Sequence, residues 1–251
     1  MRYHGYHGYH RSAVMVIVTI MLLVSAAVIQ AAEAGLSADS VRSAFSALTN
    51  EEGVAYDLDA ASIDFLTGSF TALGAKEAAA WFVDNNQSHA ASPAELWLMR
   101  DEGAWKPIFM IDQSDEIQAR LVDAGGKGIS AVYLSASHFS TGGFISSRWA
   151  LVSLYGGEVR TIFNAAGNDF AFYEMYKQVG GKDKIVMHQI GFRDNYGDSA
   201  AELIDTELSG AFVDTGKGDS GYEVVWTPAS TTTYRLIVDK NGALTGIQKI
   251  E

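Results

Sequence analysis

Beyond residue 54 the chain is a succession of short runs rich in aromatic and β-branched residues, each bounded by glycine, asparagine or aspartate. They include ELWLM (95–99), AVYLS (131–135), RWALVSLY (148–155), KIVMHQIGF (184–192), YEVVWT (222–227) and YRLIVD (234–239). Such runs predict strands and hairpins. With 25 glycines and only 3 prolines, the turns must depend mostly on glycine, and Asp239-Lys240-Asn241-Gly242 predicts a hairpin tip. One segment carries a helical signal: within residues 37–50, Val41, Phe45 and Leu48 recur at spacings of four and three behind Ser37 or Asp39 as N-cap, and Gly53 ends the element. Residues 169–180 (DFAFYEMYKQVG) fit either a second helix or an aromatic strand.

The first 34 residues have the layout of a secretory signal. A segment with Arg2, Arg11 and no acid precedes an apolar run from Ala13 to Ile29, and Ala32-Glu33-Ala34 suits a signal peptidase cutting before Gly35. An uncleaved anchor is the competing reading, since the run can just span a thinner bilayer. Cleavage predicts a periplasmic or extracellular protein with no stable membrane insertion. His4, His7 and His10 fall in this leader and are read as a quirk of it.

Removal of Arg2, Arg11 and Glu33 with the leader leaves 16 basic and 29 acidic residues, a net charge of −13. That surface repels phosphate backbones and anionic lipid, which argues against nucleic acid as a partner. The absence of cysteine excludes a disulfide framework, a thiol nucleophile and a cysteine metal site. Apolar residues at 48% and charged residues at 19% belong to a chain able to form an ordinary core.

Two kinds of segment recur. FTALGAKEAAAWF (70–82) aligns with VDAGGKGISAVYL (122–134) at an offset of 52, and LWLMRDEGAWKPIF (96–109) aligns with ALVSLYGGEVRTIF (150–163) at an offset of 54. YRLIVDKNGALTGI (234–247) is a third version of the latter. Near-equal offsets in two separate motifs point to three units, about 63–112, 115–166 and 184–250, after an N-terminal helical segment (35–53) and within a β-repeat domain (54–251). The unit is a Gly/Asp-rich turn, an apolar strand and a hairpin. It resembles the FG-GAP or VCBS repeat of the integrin-like β-propeller group over roughly residues 63–250. The resemblance implies a mainly β fold of repeated hairpin units, a partial propeller or sandwich, and a calcium loop at each first turn. Ligand positions decay between units. Thr71, Leu73, Ala75 and Ala79 offer no carboxylate; Asp123 is accompanied by Gly125, Lys127 and Ala131; only Asp194, Asp198 and Glu202 keep three carboxylates, with Tyr196 and Ser199 departing from the pattern. These three are the candidate calcium ligands.

Other chemistry is thinner. Gly218-Asp219-Ser220-Gly221 repeats the letters around the nucleophile of chymotrypsin-like proteases, but Tyr222 follows where that family has glycine, and no Ala-His-Cys occurs. His89, His138 and His188 show no metal-ligand spacing and read as surface or edge histidines. Trp81, Trp97, Trp105, Trp149 and Trp226 read as core packing rather than as a groove. The stretch 135–149 reads as a long, polar, Gly-rich loop with Phe139 and Phe144 at its tip, of the kind that binds partners from a rigid β scaffold. The sequence therefore predicts an exported, noncatalytic β-repeat protein with a binding or structural role and a protein or carbohydrate ligand. The alternative is a secreted serine hydrolase using Ser220.

Overall fold

A computed structural model of the chain describes residues 35–59, 61–86, 93–140, 144–170, 185–194, 201–214 and 222–250. The chain divides into a segment Met1–Ser37 and a compact unit Ala38–Glu251. The unit is mainly β, with one short helix among the described residues. Helix α1 (Ala38–Phe45) precedes β1 (Asp64–Gly68), β2 (Glu77–Val83), β3 (Ala94–Asp101), β4 (Trp105–Ser114), β5 (Glu116–Val122) and β6 (Ala131–Phe139). There follow β7 (Phe144–Ser153), β8 (Arg160–Phe170), β9 (Ile185–Asp194), β10 (Ala201–Asp214), β11 (Tyr222–Val238) and β12 (Leu244–Lys249).

Every strand pairs antiparallel with its sequence neighbour within two open sheets, one of four strands in the order β1-β2-β3-β4 and one of eight running β5 to β12. Only Asp115 separates the end of β4 from the start of β5. The eight-stranded sheet folds back on itself between β8 and β9, whose register among the described residues is the single pair Asn168↔Val186. Gly167 permits this: a Cβ there would lie 2.3 Å from the Val186 carbonyl oxygen and 2.8 Å from the Trp149 ring. β9 then crosses the sheet beneath it, His188 resting on Trp149 of β7 and Phe192 on Tyr133 of β6. Such crossing is the orthogonal mode of sheet packing.

Two cores result, and β6 and β7 serve both. Val132, Leu134 and Ala136 of β6 and Ala150 and Val152 of β7 pack with Phe70, Leu96 and Leu98 of the four-stranded layer. The intervening Ala131 and Tyr133 of β6, and Trp149 and Leu151 of β7, pack with Leu203, Leu236 and Leu244 of the folded-over layer. A strand buried on both faces needs an apolar side chain at every position, which is why RWALVSLY lacks the polar alternation of a surface strand. The hairpins carrying the matched glycines, Gly103, Gly156-Gly157 and Gly242, join β3 to β4, β7 to β8 and β11 to β12, all at positive φ.

The helix is shorter than the 37–50 window that carries its apolar spacing. It stops at Phe45 because Asn50 Oδ1 accepts the amides of Glu52 and Val54 and folds the following residues into a turn, a side-chain competition that ends helices. Val41 and Phe45 are fully buried. The Phe45 ring meets Tyr56, Phe82 and Trp97 edge to face at 5.1, 4.7 and 5.3 Å. The segments YEVVWT and YRLIVD, read separately in the sequence, lie on one 17-residue strand, β11. The β-branched run Thr231-Thr232-Thr233 keeps the chain extended between them, and Pro228 is accommodated at the register shift opposite Leu208. Of residues 169–180, Asp169 and Phe170 end β8; the remainder lies outside the described residues.

Buried carboxylates tie the turns down. Glu77 accepts the amides of Phe70 and Thr71 at 2.9 and 2.8 Å, the Thr71 hydroxyl at 2.6 Å, and Arg100 Nε and Nη2 at 3.0 and 2.7 Å. Burial pushes its pKa up, but the Thr71, Arg100 and Phe70 hydrogen bonds outweigh that and leave the carboxyl below its ordinary value of 4.5. Its contribution to stability is therefore complete above that ordinary value and disappears as the pH falls through the lowered folded one. Glu77→Gln is expected to cost roughly 3 kcal/mol, lowering Tm by on the order of 10 °C at neutral pH, and to flatten the fall of Tm below about pH 4.5. Thermal melts across pH 2.5–7 measure both effects.

The last hairpin docks by backbone contact. A Cβ on Gly125 would stand 2.5 Å from the Gly242 carbonyl oxygen, and Lys127 Nζ donates to the Lys240 carbonyl at 2.8 Å. Gly125→Ala is expected to destabilise the fold by about 1–3 kcal/mol, read in urea unfolding, whereas Gly103→Ala, with nothing near its Cβ, tests left-handed strain alone.

Candidate functional site

β6 and β7 form a hairpin whose base lies in the doubly buried layer and whose tip rises beyond it. The register runs Ser137↔Ser147, His138↔Ser146 and Phe139↔Ile145. At the tip Ser140 donates its amide and hydroxyl to the Phe144 carbonyl at 3.0 and 3.2 Å. Phe139 and Phe144, the residues flanking the turn, are 40% and 36% exposed.

The joint between the two sheets holds this tip in place. Asp115, with a side chain only 8% exposed, accepts the Phe139 amide and lies 3.1 Å from His138 Nδ1 through the same oxygen, Oδ2. Three residues earlier, Asp112 Oδ1 accepts Arg148 Nη2 of β7. Asp112 Oδ2 is buried and has no hydrogen-bond partner among the described residues. An unsatisfied buried carboxylate oxygen is costly, and native proteins place such groups where something else can pair with them. By the register, Phe144 shares a face of the hairpin with His138 and Arg148, and Phe139 stands on the other face. Each face thus offers a partly exposed aromatic ring that can stack on an apolar or sugar surface.

A second His–Asp pair is sequestered between layers. His188 Nδ1 lies 2.7 Å from Asp205 Oδ1, with side chains 10% and 12% exposed, and the imidazole rests on Trp149 at 5.4 Å. Nearby, the Arg120 guanidinium covers the rings of Tyr133 and Phe192 at 4.5 and 4.8 Å and donates to the Ile190 carbonyl at 3.1 Å. Burial raises the pKa of Tyr133; Arg120 opposes the shift and Asp205 adds to it. These contacts bind the folded-over layer to the sheet beneath it. Sequence inspection read both histidines as ordinary edge residues because their partners stand 23 and 17 positions away. The aspartates give no local signal.

The calcium set is divided. Glu202 is 4% exposed and its Oε2 accepts Arg193 Nε at 2.9 Å and also Nη2. Asp194 is the terminal residue of β9, paired through its backbone with Ala201. Asp198 lies outside the described residues. Among the described residues no group of three or more His, Asp or Glu side chains is placed to hold a metal; of the three candidate ligands only the Glu202 side chain is described, and it carries an ion pair with Arg193. In the second loop Asp123 Oδ2 accepts the Gly128 amide at 3.1 Å, so its carboxylate shapes the turn.

Ser220 and His89 lie outside the described residues. None of the five tryptophans is highly exposed, Trp149 being buried and the others half-buried, which accords with a packing role. Among the described residues no helix is long and apolar enough to cross a membrane. Comparison with protein-family models, curated proteins and solved structures finds no match for this chain.

Release of Glu202 from its guanidinium should favour a cation at this loop. In Arg193→Gln the difference between Tm in millimolar calcium and Tm in chelator is expected to exceed that of the native chain. A zero difference in both proteins removes calcium from this carboxylate.

Proposed function

We propose that the protein is an exported, noncatalytic β module that binds a protein or carbohydrate ligand through the tip of the β6–β7 hairpin. One observation carries the reading: Phe139 and Phe144 stand exposed on either side of a turn that a buried carboxylate, Asp115, fixes to the joint between two sheets. Exposed aromatics on a rigid support bind well because little conformational freedom is lost on contact. Export is supported by the basic, then apolar, then small-residue order of the first 34 residues.

The test probes immobilised oligosaccharides and a displayed peptide library with the purified protein. Any binding found is expected to fall by about tenfold or more in the Phe139→Ser, Phe144→Ser double variant, with circular dichroism showing the fold retained. Binding that survives the double variant moves the site elsewhere. Stoichiometric labelling of Ser220 by a fluorophosphonate would replace the binding reading with the hydrolase. Export is checked separately: the amino terminus of protein recovered from the periplasm or medium is expected at Gly35.

A further inference from the structure

β11 is longer than the strand that covers it. It runs 17 residues, yet β12 pairs only with Tyr234–Val238. On the other side β10 pairs with it along nearly its whole length, from Tyr222 to Arg235. Beyond the Ile250 amide that donates to the Thr233 carbonyl at 2.9 Å, the outer edge of Tyr222–Thr232, roughly 36 Å of strand, has no strand partner among the described residues. Toward its start, Val225 is 44% exposed, as is Val213 on β10 beside it.

Native sheets protect edges of this kind with brevity, charge or proline. The other edges here conform. β1 has five residues and begins with Asp64; β4 carries Lys106 and Pro107; β5 carries Glu116 and Arg120; β12 has six residues and ends with Lys249. On β11 no charged residue occurs between Glu223 and Arg235, an interval of VVWTPASTTTY in a chain of net charge −12. Pro228 is its one protective device. The residues from Thr227 to Thr231 are exposed, and valine and threonine predominate, both of which favour extended pairing. In so acidic a protein, a carboxylate-free strand edge is where two molecules can approach without mutual repulsion.

From this edge we propose that two copies of the chain pair antiparallel along β11, forming an isologous dimer with a continuous sheet across the two-fold axis. An antiparallel edge is self-complementary: the partner offers the same length, the same lack of charge and the same hydrogen-bond spacing. The proposal stands apart from ligand binding at the β6–β7 tip and does not depend on it.

The absence of cysteine gives a clean test. Single substitutions Thr227→Cys, Ala229→Cys and Thr231→Cys are oxidised in the purified protein beside Asn164→Cys, an exposed position on β8. Disulfide dimers are expected from the β11 position nearest the axis and not from Asn164. In sedimentation velocity the native chain is expected to show a concentration-dependent monomer–dimer equilibrium. Thr227→Lys with Thr231→Lys, which places like charges across the axis, is expected to weaken it by roughly tenfold or more, with the monomer's circular dichroism and Tm unchanged. A native chain that sediments as a monomer at every concentration overturns the proposal. So does a dimer indifferent to the lysines. A monomer that instead incorporates an added extended peptide at β11 assigns the edge to a foreign strand and overturns it equally.

Discussion

β6 and β7 send alternate side chains into two different cores, and the rest of the architecture depends on that double burial. A strand apolar on one face can be covered by a single layer. Strands apolar on both must be covered twice, so the chain supplies one layer before them, β1 to β4, and one after them, β9 to β12. The fold-back between β8 and β9 follows from the same need, and it succeeds because Gly167 lets the Val186 carbonyl reach the sheet surface. Buried polar groups then fix the edges of the stack. Glu77 satisfies the amides of one turn, and the Gly125–Gly242 contact seats the last hairpin.

Much of this was legible in the sequence. The strand class, the hairpin glycines and the helical stripe of Val41 and Phe45 are local properties, encoded within a few residues of each other. What could not be read was pairing at a distance. Nothing near Glu202 in the sequence announces that its carboxylate pairs with Arg193 on the neighbouring strand. Nothing near His138 announces Asp115, because the two meet only when β4 and β5 bend around the joint. YEVVWT and YRLIVD, read as separate runs, are one strand, because a register shift absorbs Pro228 between them and β11 continues.

The candidate site shows the same division. Phe139 and Phe144 stood out as aromatics around a Gly-rich turn, a pattern readable from composition. The carboxylates that give the tip its geometry, Asp112 and Asp115, lie some thirty residues earlier in an unremarkable DQSD stretch. Their role comes from topology: the chain passes from one sheet to the next at the level of the hairpin tip.

The one-residue joint at Asp115 has a mechanical meaning. Because the same side chain ends the passage between sheets and grips the hairpin at Phe139 and His138, a load applied to the tip is delivered to the seam between the first layer and the second. Tension there would be borne by the interlocked Ile117, Ala136 and Leu96 side chains of the shared core rather than by a flexible linker, so the module is built to stay stiff when pulled from that end.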